Sequence, residues 1–266
     1  MPVRVGVVGV GGRMGLALVQ QMSKDSSLQL GAAVDRAGSP AIGQDAGTLA
    51  NASANAVIVT SDLRAALSAV DVAIDFSRAE AVPDSVAACA AASVPMLIGT
   101  TGLAAETLAK IDGAVARIPI LVSANTSLAL NVLLELVRQA AQALPEDFNI
   151  EIFEAHHRHK VDAPSGTALV LGDAAASGRG VSLPRPVTLT GAQAGARAPG
   201  VIGFSVVRGG DVVGEHEVRF LGLGEQLRLG HIATDRAIFA RGALAAASWL
   251  VQRPPGRYRM SDFLFK

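Results

Sequence analysis

Most of the side chains that could do chemistry lie in one short segment of this 266-residue chain. Residues 154–168 read Glu-Ala-His-His-Arg-His-Lys-Val-Asp-Ala-Pro-Ser-Gly-Thr-Ala. Three of the five histidines, an arginine and a lysine fall within positions 156–160. Because histidine donates or accepts a proton near neutral pH, and lysine carries a second transferable proton, the segment predicts proton transfer.

The same segment ends in a helix-start signature. Pro164, Ser165, Gly166 and Thr167 are typical of a helix start, where free backbone N–H groups and the helix dipole favour an anion. Proton-transferring cations beside such a cradle suit a small substrate that bears one or two carboxylates.

The basic segment is also compatible with three roles other than proton transfer. Zinc could be bound by its three histidines, but His156 and His157 point apart if extended, and no Cys, Asp or Glu completes a recognisable spacing. A solvated basic loop is a second possibility. Nucleic-acid binding is disfavoured by the balance of 23 basic and 23 acidic residues and by 4% aromatic content. We predict no metal, and we interpret His216 and His231 as core or interface histidines.

A glycine-rich loop near the start of the chain predicts a dinucleotide. Gly9, Gly11, Gly12 and Gly15 follow a β-branched run and precede a helical pattern, as in loops that approach a pyrophosphate closely. Asp35, twenty residues past Gly15, is placed to bind a ribose hydroxyl.

The neighbouring Arg36 could instead pair with a 2′-phosphate. Cofactor choice between NADH and NADPH therefore stays open.

Two further loops follow predicted strands. One combines 75–77 with 99–102, and the other is 123–126. Ligands of doubly wound sheets lie outside the carboxyl ends of the strands, and Asn125 could bond the nicotinamide carboxamide there. Taken alone, each loop could be ordinary turn chemistry.

The fold class follows from alternating patterns. Up to about residue 125, short apolar runs, among them 56–60, alternate with helical stretches, which predicts βαβ units and a Rossmann-type parallel sheet. Later strands such as 214–221 alternate polar and apolar residues, which predicts a central α+β domain with a mixed or antiparallel sheet. We therefore predict an α/β protein.

Composition bounds the remaining classes. Residues 85–105 carry no charge, but Pro95 and several glycines and threonines interrupt them, so we read helix, strand and loop rather than a membrane span. The single cysteine, Cys89, lies in an alanine-rich helical stretch and is expected in the core. We expect a soluble cytoplasmic protein with no nucleic-acid or membrane partner.

These motifs resemble those of the 4-hydroxy-tetrahydrodipicolinate reductases, a bacterial family of diaminopimelate and lysine biosynthesis formerly called dihydrodipicolinate reductases. The resemblance rests above all on 154–167 and extends over essentially the whole chain. Further matching segments are 9–15, 99–102, 123–125, 208–210, 214–216 and 224–242.

The resemblance implies domains, assembly and reaction. Residues 1–126 and 235–266 would form the dinucleotide-binding domain, and 127–234 a substrate-binding domain that assembles a homotetramer. NADH or NADPH would reduce 4-hydroxy-tetrahydrodipicolinate, a dicarboxylate, to tetrahydrodipicolinate. Closure of one domain over the other is expected, with hinges near 125–127 and 233–235.

It also implies roles for single residues. His156 matches the proton donor and acceptor, Lys160 the second proton donor, and His157, Gly166 and Thr167 the substrate contacts. We add Arg158 and Ser165 as carboxylate-holding candidates. The matching cofactor contacts are Gly9, Val10, Gly11, Gly12, Arg13, Met14, Asp35, Arg36, Gly99, Thr100, Thr101, Ser123, Ala124, Asn125 and Thr126.

Two departures from the family pattern bear on the cofactor. Thr126 replaces an aromatic residue or methionine of many relatives, and Asp35 replaces a more usual glutamate, so the affinity for the cofactor stays open.

Two other functions compete with the reductase. A nucleotide-sensing regulator would keep the glycine loop but need no histidine–lysine pair. A reductase of another small amino or keto acid is the second rival.

Overall fold

The computed structural model describes residues 1–183, 187–188, 197 and 199–265. The chain divides into two compact units: unit 1 is Met1–Leu128 with Ala237–Lys266, and unit 2 is Ala129–Arg236. The strands are β1 (Val3–Val8), β2 (Leu28–Val34), β3 (Val72–Asp75), β4 (Met96–Ile98), β5 (Pro119–Val122), β6 (Asn149–His156), β7 (Val187–Thr188), β8 (Ile202–Arg208), β9 (Gly214–Leu221), β10 (Gln226–Ala233) and β11 (Gly256–Tyr258). The helices are α1 (Arg13–Met22), α2 (Ala46–Leu49), α3 (Leu63–Ala66), α4 (Val82–Ala92), α5 (Ala105–Ala114), α6 (Leu128–Ala143), α7 (Gly166–Gly178), α8 (Ala237–Leu250) and α9 (Met260–Leu264).

Unit 1 is built on a parallel six-stranded sheet in the order β11-β5-β4-β3-β1-β2. The central strands of this sheet are mostly apolar and buried, because helices cover both faces. Ile74 and Leu97 belong to the core cluster that contains residues of α1 and α8, whereas Ala73 and Met96 belong to the cluster with α4 and α5. The predicted Rossmann-type sheet is confirmed.

The connections bring the predicted loops to one edge. Strands β2 and β3 flank β1, so the chain reverses its direction of winding at β1. The loops after β1, β3, β4 and β5 therefore leave the sheet at its carboxyl edge, where ligands of such sheets bind.

The predicted strand at 56–60 is wrong. This run makes only isolated bridges, Val34 with Thr60 and Asp45 with Ile58. The Asp45 carboxylate accepts the N–H groups of Asn55 and Ala56, and Ala56 adopts a φ of 60°, so the chain turns at the start of this run and forms no continuous strand. The sixth strand is β11, close to the C-terminus.

Unit 2 contains a mixed five-stranded sheet in the order β10-β9-β6-β8-β7. Strand β6 pairs antiparallel with β9 and parallel with β8. Helices α6 and α7 supply Val137 and Leu171 to a core that also holds Ile152, Phe204 and Phe220 from the sheet. The predicted mixed sheet is confirmed, and it sets which side chains of β6 stand on the helix-covered face.

None of the helices in the described ranges combines the length and apolar character that a membrane-spanning segment needs.

Candidate active site

The glycine loop of unit 1 makes a tight turn from β1 into α1. Gly9 has a φ of +82°, and a Cβ there would lie 2.9 Å from the Phe76 carbonyl oxygen. A Cβ on Gly15 would lie 2.4 Å from the Gly9 oxygen. Glycine is therefore required at both positions, because any side chain would separate the loop from its neighbours. The helix begins at Arg13, and its first N–H groups have the orientation that binds a phosphate.

Asp35 closes one side of this loop. Its carboxylate accepts the N–H of Gly11 at 3.0 Å, the N–H of Arg36 at 2.8 Å and the hydroxyl of Ser39 at 3.0 Å. These donors orient the carboxylate beside the loop and leave acceptor capacity for a ribose hydroxyl. Arg36 follows directly, as the sequence predicts.

A cleft of about 400 Å³ lies at the carboxyl edge of the unit 1 sheet. The residues that line it are Gly12, Arg13, Met14, Phe76, Ser77, Gly99, Thr100, Thr101, Ala124, Asn125, Thr126 and Phe239. The structure thus brings together one segment from each predicted cofactor loop. Gly9, Val10 and Gly11 form the preceding turn. Ser123 stands at the end of β5, where its hydroxyl donates to the Asn125 carbonyl at 2.7 Å.

A buried carboxylate connects two of these loops. Asp75 is fully buried, and its Oδ1 accepts the Ser77 N–H, the Ser77 hydroxyl at 2.6 Å and the Thr100 hydroxyl at 3.0 Å. Behind the cleft, a Cβ on Gly99 would overlap the Phe76 ring at 2.2 Å. The β3 and β4 loops are therefore fixed to each other before any ligand binds.

Thr126, which departs from the family pattern, is hydrogen-bonded to α8. Its buried hydroxyl donates to the Phe239 carbonyl oxygen at 2.7 Å, and a Cβ on Gly242 would lie 1.8 Å from the Thr126 oxygen. The β5 loop thus packs directly on α8, which places the Phe239 ring in the cleft.

The basic segment of unit 2 is built around Glu154, which is fully buried. Its Oε2 lies 2.6 Å from His156 Nδ1 and 2.7 Å from Arg208 Nη1. Its Oε1 accepts the second Arg208 nitrogen at 2.7 Å and the Ser165 N–H at 3.0 Å. One carboxylate therefore joins the end of β6, the end of β8 and the start of α7.

These contacts decide the charge states. Burial opposes ionisation of Glu154, but its hydrogen bonds from Arg208, His156 and Ser165 outweigh burial and hold its pKa below the ordinary value. Burial lowers the pKa of His156, although the Glu154 carboxylate opposes the shift. His156 is thus predominantly neutral at neutral pH in the free protein.

His216 lies against this group. Its ring meets the His156 ring edge-on with centroids 5.0 Å apart, and its Nε2 lies 3.0 Å from the Ser165 hydroxyl. Burial, reinforced by the positive charge that His156 can carry, lowers the pKa of His216 to about 4. His216 is buried, as the sequence predicts, but it also contacts the predicted proton-transfer residue.

Lys160 is partly exposed and donates to Asp162 at 2.8 Å. This hydrogen bond lowers the pKa of Asp162. The Lys160 N–H donates to the His157 carbonyl oxygen at 3.1 Å, so the segment folds into a turn directly after His156. The Lys160 charge also contributes to the lowered pKa of His156.

An open depression of about 690 Å³ adjoins the basic segment. It is lined by His157, Arg158, His159, Gly210, Asp211 and Arg236. Nothing lies within 4 Å of a Cβ built on Gly166 at the first turn of α7. Ser165 differs from the predicted role, since its N–H and hydroxyl are both engaged by the protein, with Glu154, His216 and Ala168.

Several of these residues were absent from the predicted sites. In the cleft this applies to Phe239, since Phe76 and Ser77 belong to the predicted loop 75–77, and in unit 2 it applies to Glu154, Arg208, His216, Asp211 and Arg236. The even spacing of Glu154 and His156 on one strand was a usable signal, because alternate residues of a strand share a face. Among the residues that the structure describes, no group of three or more His, Cys, Asp or Glu side chains could hold a metal ion.

Comparison with protein families gives two matches that together span nearly the whole chain. Residues 3–126 match the dihydrodipicolinate reductase N-terminus, and residues 129–264 match the dihydrodipicolinate reductase C-terminus. A 4-hydroxy-tetrahydrodipicolinate reductase of Thiobacillus denitrificans is 48% identical over 266 residues, covering 99% of each chain. One of Anaeromyxobacter dehalogenans is 47% identical over 262 residues, covering 98% of this chain and 97% of its own.

Solved structures share the fold. A dipicolinate-bound dihydrodipicolinate reductase from Paenisporosarcina sp. TG-14 matches with a TM-score of 0.80 at 22% identity, over 100% of both chains. An amine dehydrogenase from Mycobacterium smegmatis matches with a TM-score of 0.62 at 14% identity, over 97% of this chain and 95% of its own.

Proposed function

This chain belongs to the dihydrodipicolinate reductase family, and from that premise we propose that it reduces 4-hydroxy-tetrahydrodipicolinate to tetrahydrodipicolinate with NADH or NADPH. The observation that carries the proposal is the buried Glu154–His156 pair beside the first turn of α7. It combines a proton-transferring group with an anion cradle, which a dicarboxylate reductase needs and a nucleotide sensor does not.

The residues of unit 1 fit a dinucleotide. A Cβ on Gly11 would lie 2.4 Å from Asp35 Oδ2, so only glycine leaves the carboxylate beside the loop. The N-terminus of α1 would hold the pyrophosphate, Asp35 a ribose hydroxyl, and the cleft beside Phe239 the nicotinamide ring. When bound, the reduced dinucleotide supplies a hydride.

The residues of unit 2 fit a dianion. Arg158 and Arg236 line the depression, and Gly166 and Thr167 offer N–H groups at the start of α7. His157 lines the same depression. Because Ser165 is engaged by the protein, its role is to fix this helix start, and Gly166 and Thr167 make the direct carboxylate contacts.

The chain's own residues then handle the protons. The 4-hydroxy group leaves as water to give an α,β-unsaturated cyclic imine, and hydride addition at C4 leaves an enamine that needs a proton at the adjacent carbon. His156 and Lys160 deliver that proton and stabilise the developing negative charge. A bound dianion raises the pKa of a nearby imidazole, so substrate itself favours the protonated His156 that can act as donor.

We also propose that the protein works as a homotetramer in the cytoplasm. Support for assembly comes from the sheet face of unit 2 that α6 and α7 do not cover. That face carries Phe153, half-buried, with Val207 at 46% and Ile232 at 66% exposure. Aromatic and aliphatic side chains on one sheet face are suited to pairing with further copies.

The function is tested by following NADH and NADPH oxidation with 4-hydroxy-tetrahydrodipicolinate and with a panel of amino and keto acids. We expect oxidation with that substrate and about 10²–10⁴-fold lower kcat in Lys160→Ala. Lys24→Ala, which removes an exposed lysine of unit 1, is the matched control and should keep wild-type turnover. Wild-type turnover in Lys160→Ala would refute the role of Lys160, and no oxidation by folded wild-type protein would refute the function.

A further inference from the structure

We propose that Glu154, held by Arg208, is a positioning residue that fixes His156 in the Nδ1–H tautomer and ties it to the start of α7. The inference rests on the proposed function and deepens it. It gives the proton-transfer group and the carboxylate cradle one common anchor.

The hydrogen bonds of Glu154 determine the tautomer. Arg208 donates one nitrogen to each carboxylate oxygen, both at 2.7 Å, and the Ser165 N–H donates at 3.0 Å. A carboxylate that receives these donors while paired with a guanidinium is ionised, and an ionised carboxylate only accepts. The 2.6 Å contact with His156 therefore requires a proton on Nδ1, which leaves Nε2, across the ring, for proton exchange.

The pairing of strands brings these groups together. Residue His156 lies opposite Arg208 in the parallel β6–β8 pair, and Glu154 lies opposite His216 in the antiparallel β6–β9 pair. Glu154 and His156 share the helix-covered face of β6, where Ser165 caps the start of α7. A shift of any of these side chains moves the others, because all of them meet at one buried carboxylate.

The role of Arg208 is to keep Glu154 ionised. Without this partner the buried carboxylate would be an uncompensated charge, and it would take up a proton or unfold its surroundings. A protonated Glu154 could no longer enforce the tautomer or stabilise the imidazolium that forms when His156 accepts a proton. Arg208 also donates to the Asp162 carbonyl at 2.7 Å, which fixes the loop after Lys160.

The charged groups that act on His156 come from several elements. Burial lowers the pKa of His156, Glu154 opposes this shift, and the charges of Lys160 and Arg208 lower the pKa further. The His216 ring adjoins the His156 ring. Replacing Glu154 by glutamine removes the negative charge that attracts a proton to His156 and keeps the positive charges of Lys160 and Arg208 that repel it. If protonated His156 is the donor, activity falls as pH rises through its pKa, and in Glu154→Gln this fall must begin at lower pH.

The test compares Glu154→Gln with Glu135→Gln. Glu135 lies on α6 of the same unit and also pairs with both nitrogens of an arginine, Arg138 at 2.6 and 3.0 Å, but it contacts neither His156 nor the face proposed for assembly. We expect Glu154→Gln to lower kcat by about 100-fold or more, with the cofactor KM near wild type and the fall in activity moved to lower pH. Glu135→Gln should keep the wild-type kcat and pH profile.

A measurement on the wild-type protein avoids dependence on a folded variant. ¹⁵N NMR of labelled histidine distinguishes the two tautomers, and we expect His156 to carry its proton on Nδ1 in the neutral form. An Nε2–H tautomer, or an unchanged kcat and pH profile in Glu154→Gln, would overturn the proposal. The tautomer is measured without turnover, so its outcome is separate from that of the substrate assay.

Discussion

His216 Nε2 lies 3.0 Å from Ser165 Oγ, and the same hydroxyl accepts the Ala168 N–H at 3.2 Å in the first turn of α7. A buried histidine of β9 thereby supports the serine that caps this helix. The network stands beside His156, so changes in the protonation of His216 bear on both stability and the carboxylate cradle.

We predict that the protein loses stability in mild acid through His216. Its folded-state pKa is about 4, below the ordinary 6.5, mainly because of burial. Below pH 6.5 His216 is protonated in the unfolded chain but stays neutral in the folded chain down to about pH 4. The stabilisation that neutral His216 gives is therefore complete above pH 6.5 and is lost as pH falls toward 4. The loss is about 3 kcal/mol at most.

Denaturant unfolding between about pH 7.5 and pH 4 checks this prediction. His216→Gln should have a shallower pH dependence than wild type, whereas His159→Asn, a change at an exposed histidine, should retain the wild-type dependence. Equal slopes for wild type and His216→Gln would contradict the assignment.

Gly11→Ala should damage cofactor binding while leaving the fold intact. The added methyl would lie 2.4 Å from Asp35 Oδ2 and would displace the carboxylate from the loop. We expect the cofactor Kd, measured by nicotinamide fluorescence, to rise by about tenfold or more. Gly113→Ala in α5, where nothing lies within 4 Å of the new Cβ, is the control and should be neutral or stabilising by up to about 1 kcal/mol. Unchanged affinity in Gly11→Ala would remove this loop from the cofactor site.

Asp35 and Arg36 should set the choice of cofactor in opposite directions. A carboxylate accepts a ribose hydroxyl but repels a 2′-phosphate, whereas a guanidinium attracts the phosphate. We expect Asp35→Asn to lower kcat/KM for NADH relative to NADPH, and Arg36→Ala to lower it chiefly for NADPH, each by about tenfold. Initial rates with both cofactors test this prediction. Equal changes in kcat/KM for NADH and NADPH would show that neither residue contacts the ribose 2′ position.

Gly214→Ala, a substitution in unit 2 beside His156, should impair proton transfer. A Cβ there would lie 3.1 Å from His156 Nε2 and 3.7 Å from the His216 ring, so His156 must tilt away from its present position. We expect kcat to fall by about tenfold with little change in cofactor binding. Gly230→Ala, whose new Cβ would make an ordinary 3.6 Å contact with the His216 oxygen, should keep wild-type turnover. Wild-type kcat in Gly214→Ala would argue against a proton-transfer role for Nε2.

The cofactor side of the protein could be predicted largely from sequence. The turn at Gly9, the helix start at Arg13 and the acid at Asp35 obey steric and electrostatic rules that act over a few residues. Phe239 was missed as a cleft residue because it comes from α8, more than a hundred positions later, and only its packing on Thr126 brings it there. The strand at 56–60 was mispredicted because the Asp45 carboxylate, eleven positions before Ala56, bends the chain.

The sequence by itself determined that histidines, a lysine and a helix start lie together, since that follows from their adjacency along the chain. Only the tertiary structure decided which groups control them. Arg208 and His216 are 54 and 51 positions from Glu154 and Ser165, and strand register places them. A shift of one residue in strand register would turn Glu154 and His156 to the opposite face of the sheet. The buried contact between the Glu154 carboxylate and His156 therefore exists only in the folded sheet.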